Sequence, residues 1–159
     1  MQQQRTLPRW ADARDFIARR GGDRAAAVCA VGADGAWAKA RMAELGVRTT
    51  YMSEVAAPTA HAIINVDPAG ENAIVVFPGA NMHQSLTQLK TALLTAKRGD
   101  MLLLQNETNL ALEAATLPRS LGLTVLYAAA PFEAAATKAL LPLTNLLILN
   151  AVEMAQLTE

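Results

Sequence analysis

PAGENAIVVFPGAN, residues 68–81, sets a turn, an apolar run and a second turn in immediate succession. Pro68 to Glu71 carry turn chemistry, and residues 73–77 form a β-prone run. A matching β-prone run lies upstream at residues 62–66, joined to it through DPAGEN. Together they predict a β-hairpin.

That hairpin interrupts a chain which otherwise alternates strand-like and helix-like segments. Residues 25–31 are a short continuous apolar run ending at Gly32, the pattern of a buried strand. Residues 35–45 read as a helix, with Gly46 placed as its left-handed C-terminal residue, and 49–52 are β-prone. Residues 84–97 read as an amphipathic helix with Leu86, Leu89 and Leu93 on one stripe. Lys90 and Lys97 lie beside that stripe, so their stems must snorkel outward. Residues 101–105 are strand-like, and 109–120 are a helix that Pro118 should end or kink. Segments 123–127, 133–141 and 145–149 give strand, helix and strand, and a last helix starts near Ala151.

Strands separated by helices imply βαβ units. The expected fold is α/β, a mostly parallel sheet flanked by helices, from which the small antiparallel hairpin projects.

The chain of 159 residues is long enough for one domain with a real core. Its 52% hydrophobic and 18% charged content excludes a disordered composition. A formal net charge of zero gives no electrostatic case for nucleic acid or an anionic membrane. No apolar stretch approaches the ~20 residues needed to span a bilayer. The N-terminus MQQQRTLPRWADARD has no apolar signal core, so a cytoplasmic setting is expected. The single cysteine, Cys29, lies in the run AAAVCAV and reads as a buried structural thiol. His61 and His83 have no metal-ligand partners at useful spacing.

Six strings follow one another in a recognisable order: VGADG (31–35), LGVRT (45–49), PTAHAIINVD (58–67), GENAIVVFPGAN (70–81), LLLQNET (102–108) and NAVE (150–153). Each is weak alone, and their order and spacing together are fairly specific. They resemble the ribokinase-like family of sugar kinases, the phosphofructokinase B type, over residues 18–159. The GEN and PGAN strings lean toward its ribokinase branch.

The resemblance implies a partial kinase domain with a lid hairpin at about 58–81, after a divergent segment at 1–17. It implies transfer of the γ-phosphoryl group of ATP to a sugar hydroxyl, with ribose favoured, and Mg²⁺ on the phosphates. Glu107 matches the family's sugar-contacting acidic position; its other reading is a charge at the N-terminus of the following helix. Thr59 and Ala60 stand where the family has Thr-Gly at the start of the lid strand, which makes Thr59 a substrate-side candidate. Asn150 and Glu153 match the NxxE motif that serves the Mg²⁺–nucleotide phosphates, often through water. They also read as an N-cap and its capping-box partner. Asp34 matches a family acidic position, and capping of the next helix is its expected role. A homodimer through the lid is a further expectation.

Two departures are large. The family's Gly-Gly-Lys-Gly-Ala-Asn substrate segment corresponds to LPRWAD (7–12), where Trp10 and Asp12 replace small and amide residues. Without glycine the backbone cannot approach a sugar closely. The family's Gly-Ala-Gly-Asp motif, which carries the anion hole and the catalytic Asp, would fall beyond residue 159, as would the monovalent-cation site. No GxGD string occurs in these residues, and GADG at 32–35 is in the wrong place. The resulting expectation is a sugar kinase portion inactive on its own. The alternative is a non-catalytic binding module derived from such a kinase.

Overall fold

The computed structural model describes residues 25–158. The LPRWAD string and the expected boundary after residue 17 lie outside the described residues.

Strand β1 (Ala26–Val31) pairs parallel with β2 (Arg48–Glu54), and helix α1 (Ala36–Glu44) is the crossover between them. Gly46, at φ +80°, ends α1 as its position in the sequence suggests. Its amide donates to Ala43 and that of Val47 to Met42, the paired bonds that close a helix C-terminus.

Strands β3 (His61–Val66) and β4 (Asn72–Phe77) form the hairpin, in antiparallel register from His61↔Phe77 to Val66↔Asn72. Asp67 builds its turn: Oδ1 accepts the amides of Ala69 and Glu71, each at 2.9 Å, and Gly70 takes φ +88°. Every residue of both strands is exposed, including Ile63 at 57% and Val66 at 63%.

After helix α2 (Leu86–Leu93), strands β5 (Met101–Leu104), β6 (Thr124–Ala128) and β7 (Leu146–Ile148) make a parallel ladder in that spatial order. Helices α3 (Ala111–Leu121) and α4 (Ala134–Leu140) are its crossovers, and α5 (Ala151–Thr158) follows β7. The parallel strands therefore hydrogen-bond as two ladders, β1-β2 and β5-β6-β7. Side chains join them. Leu89 and Leu93 of α2 and Ala114 of α3 pack against Val28 of β1 and against Leu102 and Leu104 of β5. Burying Leu89 and Leu93 contributes about 1.5–3 kcal/mol each. A second cluster centres on Ala115, Tyr127, Ala129 and Leu140.

Two elements differ from their sequence expectation. Helix α2 stops at Leu93 rather than continuing to Lys97. The Thr95 hydroxyl donates to the Ala92 carbonyl, and Lys97 and Asp100 close a turn with Gly99 at φ +89°. Local bonds of this kind compete with helical ones. Pro118 sits fully buried inside α3 without ending it. The helix stops at Gly122, at φ +69°, whose amide donates to Arg119.

Candidate functional site

Open α/β sheets bind ligands beyond the carboxyl ends of their strands, where loops can vary over a rigid scaffold. Asp34 follows β1, Thr59 lies in the segment after β2, Glu107 follows β5, and Asn150 follows β7. All stand at that edge.

The tightest geometry joins Asp34 and Thr59. One oxygen of Asp34, Oδ1, accepts the Thr59 amide at 2.9 Å and the Thr59 hydroxyl at 2.7 Å. The hydroxyl oxygen in turn accepts the Gly32 amide at 2.9 Å. The Thr59 hydroxyl, and next its amide, hold the Asp34 carboxyl below its ordinary value. Asp34 does not cap α1: the residue before that helix is Gly35, and no side chain caps it. The expected capping role is replaced by a bond across 25 residues of sequence to the base of the hairpin. Glycine makes the approach possible. A Cβ on Gly35 would lie 2.3 Å from Thr59 Oγ1, and one on Gly32 would lie 2.4 Å from the Ala57 carbonyl.

The two legs of the hairpin are strapped together just below the strands. The Ala80 amide donates to the Pro58 carbonyl at 2.8 Å, and Gly79 takes φ +41° with no room for a Cβ beside that carbonyl. An open cleft of about 620 Å³ lies beside this base, lined by residues 54–58 with Ala33 and Asp34.

Glu107 is exposed in the turn after β5, and its neighbours anchor that turn on both sides. Asn106 accepts the hydroxyl of buried Tyr127 on β6 and donates its side-chain amide to the Pro131 carbonyl at 3.0 Å. Asn109 pairs with both backbone groups of Gln84, at 3.0 and 3.1 Å, and donates its own amide to Asn81. Leu110 closes the turn at φ +64°, the only non-glycine residue with positive φ among the described residues. Such a conformation costs about 1–2 kcal/mol and persists where the surroundings impose it. Asn106, Asn109 and Tyr127 were not singled out in the sequence. Asn106 and Asn109 flank Glu107 closely enough to have been suspected, while Tyr127 gave no local signal.

Asn150 and Glu153 form a reciprocal cap on α5. The Asn150 amide donates to Glu153 Oε2 at 2.8 Å, and the Glu153 amide donates to Asn150 Oδ1 at 2.9 Å. The capping-box reading thus describes their local structure. Among the described residues no group of three His, Cys, Asp or Glu side chains could hold a metal ion. One carboxylate with one amide suits a hydrated Mg²⁺ held mainly by phosphates, rather than a protein cage. No hydrogen bond among the described residues joins Glu107, the Asn150–Glu153 pair and the Asp34–Thr59 pair to one another.

His61 lies over Phe77, ring centroids 5.0 Å apart, with Nδ1 3.1 Å from the Thr59 carbonyl oxygen. Cys29 is half-buried; burial pushes its thiol up, and Lys39 opposes this more weakly. A raised thiol is a poor nucleophile, as a structural cysteine should be. No helix among the described residues is long and apolar enough to cross a membrane.

A parallel α/β body whose strand ends root an antiparallel hairpin is the architecture of ribokinase-like carbohydrate kinases. The chain belongs to the pfkB family of carbohydrate kinases, whose profile matches residues 16–159. Ribokinase from Giardia lamblia superposes with a TM-score of 0.79 at 26% identity, covering 92% of this chain and 48% of that one. Ribokinase from Cryptococcus neoformans var. grubii, in complex with ADP, gives 0.73 at 29%, with coverage of 91% and 47%. Ribokinase from Thermotoga maritima gives 0.72 at 29%, with coverage of 93% and 48%. The chain thus spans about half the length of the solved structures it matches. No curated protein matches it.

Proposed function

We propose that this chain is the lid-bearing portion of an ATP-dependent sugar kinase that phosphorylates a hydroxyl of ribose or a closely related sugar. The observation that carries this reading is the family match over residues 16–159, with Thr59, Glu107 and Asn150 beyond the carboxyl ends of the parallel strands β2, β5 and β7. In this reading Glu107 receives sugar hydroxyls, and Thr59 serves the sugar side from the base of the lid. Asn150 and Glu153 face the Mg²⁺–nucleotide phosphates. Support for the nucleotide comes from the ADP complex of the Cryptococcus ribokinase, and support for ribose from the ribokinase neighbours. A cytoplasmic location goes with this chemistry.

The 159 residues alone do not turn over in this proposal, because no GxGD string supplies a base and an anion hole. Losing a single oxyanion donor already costs about 10²–10³ in rate. A coupled ADP-release assay with ribose, ATP and Mg²⁺ tests this. The expected result is no turnover above background, and measurable turnover overturns the claim of inactivity.

A second reading, a module that associates rather than catalyses, is favoured by one observation. Ile63, Ile64, Val66, Ile74, Val75, Val76 and Phe77 are all exposed on one hairpin. Apolar surface of this kind marks an interaction site. We propose a homodimer through the lid as its form. Size-exclusion chromatography with light scattering should show a dimer, and a clean monomer counts against it.

A further inference from the structure

We infer that the Asp34 carboxylate is a positioning group that sets the pose of the hairpin over the strand ends, acting through Thr59. This rests on reading the hairpin as a lid, and it concerns how that lid is mounted rather than what it covers.

The hairpin cannot be held by packing, because every residue of β3 and β4 is exposed. Its pose must be decided at its base. There the strap between Pro58 and Ala80 makes the two legs a single ribbon. Ala80, fully buried, seats the second leg against the body, and two polar feet complete the mount. The second foot is the Asn81 carbonyl, which accepts the Asn109 amide at 3.3 Å, on the turn that carries Glu107. The first foot is Thr59, gripped at both its amide and its hydroxyl by one oxygen of Asp34 and backed by the Gly32 amide. Two donors on one carboxylate oxygen define a direction, which a lone bond does not.

The grip can be removed without touching the backbone of the hairpin. Asp34 is exposed and belongs to the turn after β1, so its truncation opens no cavity in the core. Both bonds end on Oδ1, an atom that asparagine retains. What the foot requires is an acceptor at that atom, not a negative charge. Asp34→Ala releases the foot, and Thr59→Val leaves it only the amide bond, which alone fixes no direction, whereas Asp34→Asn and Thr59→Ser keep both bonds.

The test is a distance distribution between spin labels on cysteines introduced at Ala69, at the hairpin tip, and Glu113, on α3, in a Cys29→Ala background of the full chain. The parent should show one sharp distance. Asp34→Ala should lose it to a broad distribution, and Thr59→Val should do the same. Combining the two should add nothing. Asp34→Asn and Thr59→Ser should restore the sharp distance. A sharp distance that survives both Asp34→Ala and Thr59→Val overturns the inference, as does a broad distribution in the parent. Loss of helical circular dichroism in both variants overturns it too, since the pair would then hold the fold rather than the lid. The ADP-release result does not bear on this distance, so failure of the kinase reading is told apart from failure of the clasp.

Discussion

Thr59 gives both of its protons, amide and hydroxyl, to a single oxygen of Asp34, at 2.9 and 2.7 Å. This ties the turn after β1 to the foot of the hairpin across 25 residues of sequence. An acidic residue just before the N-cap of α1 thus serves a tertiary contact. The glycines at 32 and 35 are there because the contact leaves no space for a side chain.

The pH response follows from that pair. The folded-state value of Asp34 is lowered from 3.8, chiefly by the Thr59 hydroxyl. A depressed carboxyl contributes stability that is fully present above its unfolded value and lost as pH falls through its folded one. Urea unfolding of the parent should therefore weaken below about pH 4 by more than that of Asp34→Asn, which has no proton to take up there. Parallel pH profiles for the two proteins would refute this.

Gly35→Ala should destabilise the fold. The added Cβ would stand 2.3 Å from Thr59 Oγ1 and 2.9 Å from the Val31 Cβ, and neither neighbour is the free end of a long side chain. Overpacking of this kind typically costs about 1–3 kcal/mol, which would show as a lower urea midpoint at unchanged slope.

Tyr127→Phe removes a hydroxyl from a fully buried ring and leaves Asn106 without that donor. An unsatisfied polar group in such a place costs about 1–3 kcal/mol. Thermal unfolding should record a lower midpoint, and the amide resonances of residues 105–110 should shift because Asn106 anchors their turn.

Glu153→Gln and Asn150→Ala separate a cap from a ligand role. The glutamine keeps an oxygen for the Asn150 amide, so stability should stay within about 0.5 kcal/mol of the parent. Asn150→Ala removes the N-cap oxygen and should cost about 1 kcal/mol. If the pair also serves Mg²⁺–nucleotide, calorimetric titration with Mg-ADP should show weaker binding to Glu153→Gln. Equal affinity would leave the pair as a cap alone.

Much of the fold was legible in the residues. The turn chemistry of Asp67 to Glu71 and the β-prone runs beside it located the hairpin to within a residue at each end. Gly46 marked the end of α1 because only a residue tolerant of positive φ closes a helix that way. Elsewhere local signals competed. Pro118 reads as a breaker, yet it is accommodated inside α3, and Gly122 makes the stop. Thr95 and the Lys97–Asp100 turn ended α2 early against an intact amphipathic stripe. At the candidate site Glu107, Thr59, Asn150 and Glu153 were visible as strings. The asparagines and the tyrosine that anchor the Glu107 turn were not, because Tyr127 lies 21 residues from Asn106.

By itself the sequence determined the alternation of strands and helices, the hairpin and the family, since these rest on local propensity, turn residues and the order of short strings. Only the tertiary structure decided that Asp34 grips Thr59 instead of capping α1, that the parallel strands form two ladders joined through side chains, and that the hairpin stands clear of the core. The physical reason is range. A turn or a cap is settled within a few residues, whereas a carboxylate has several donors within reach and takes the one that the packed chain brings to it.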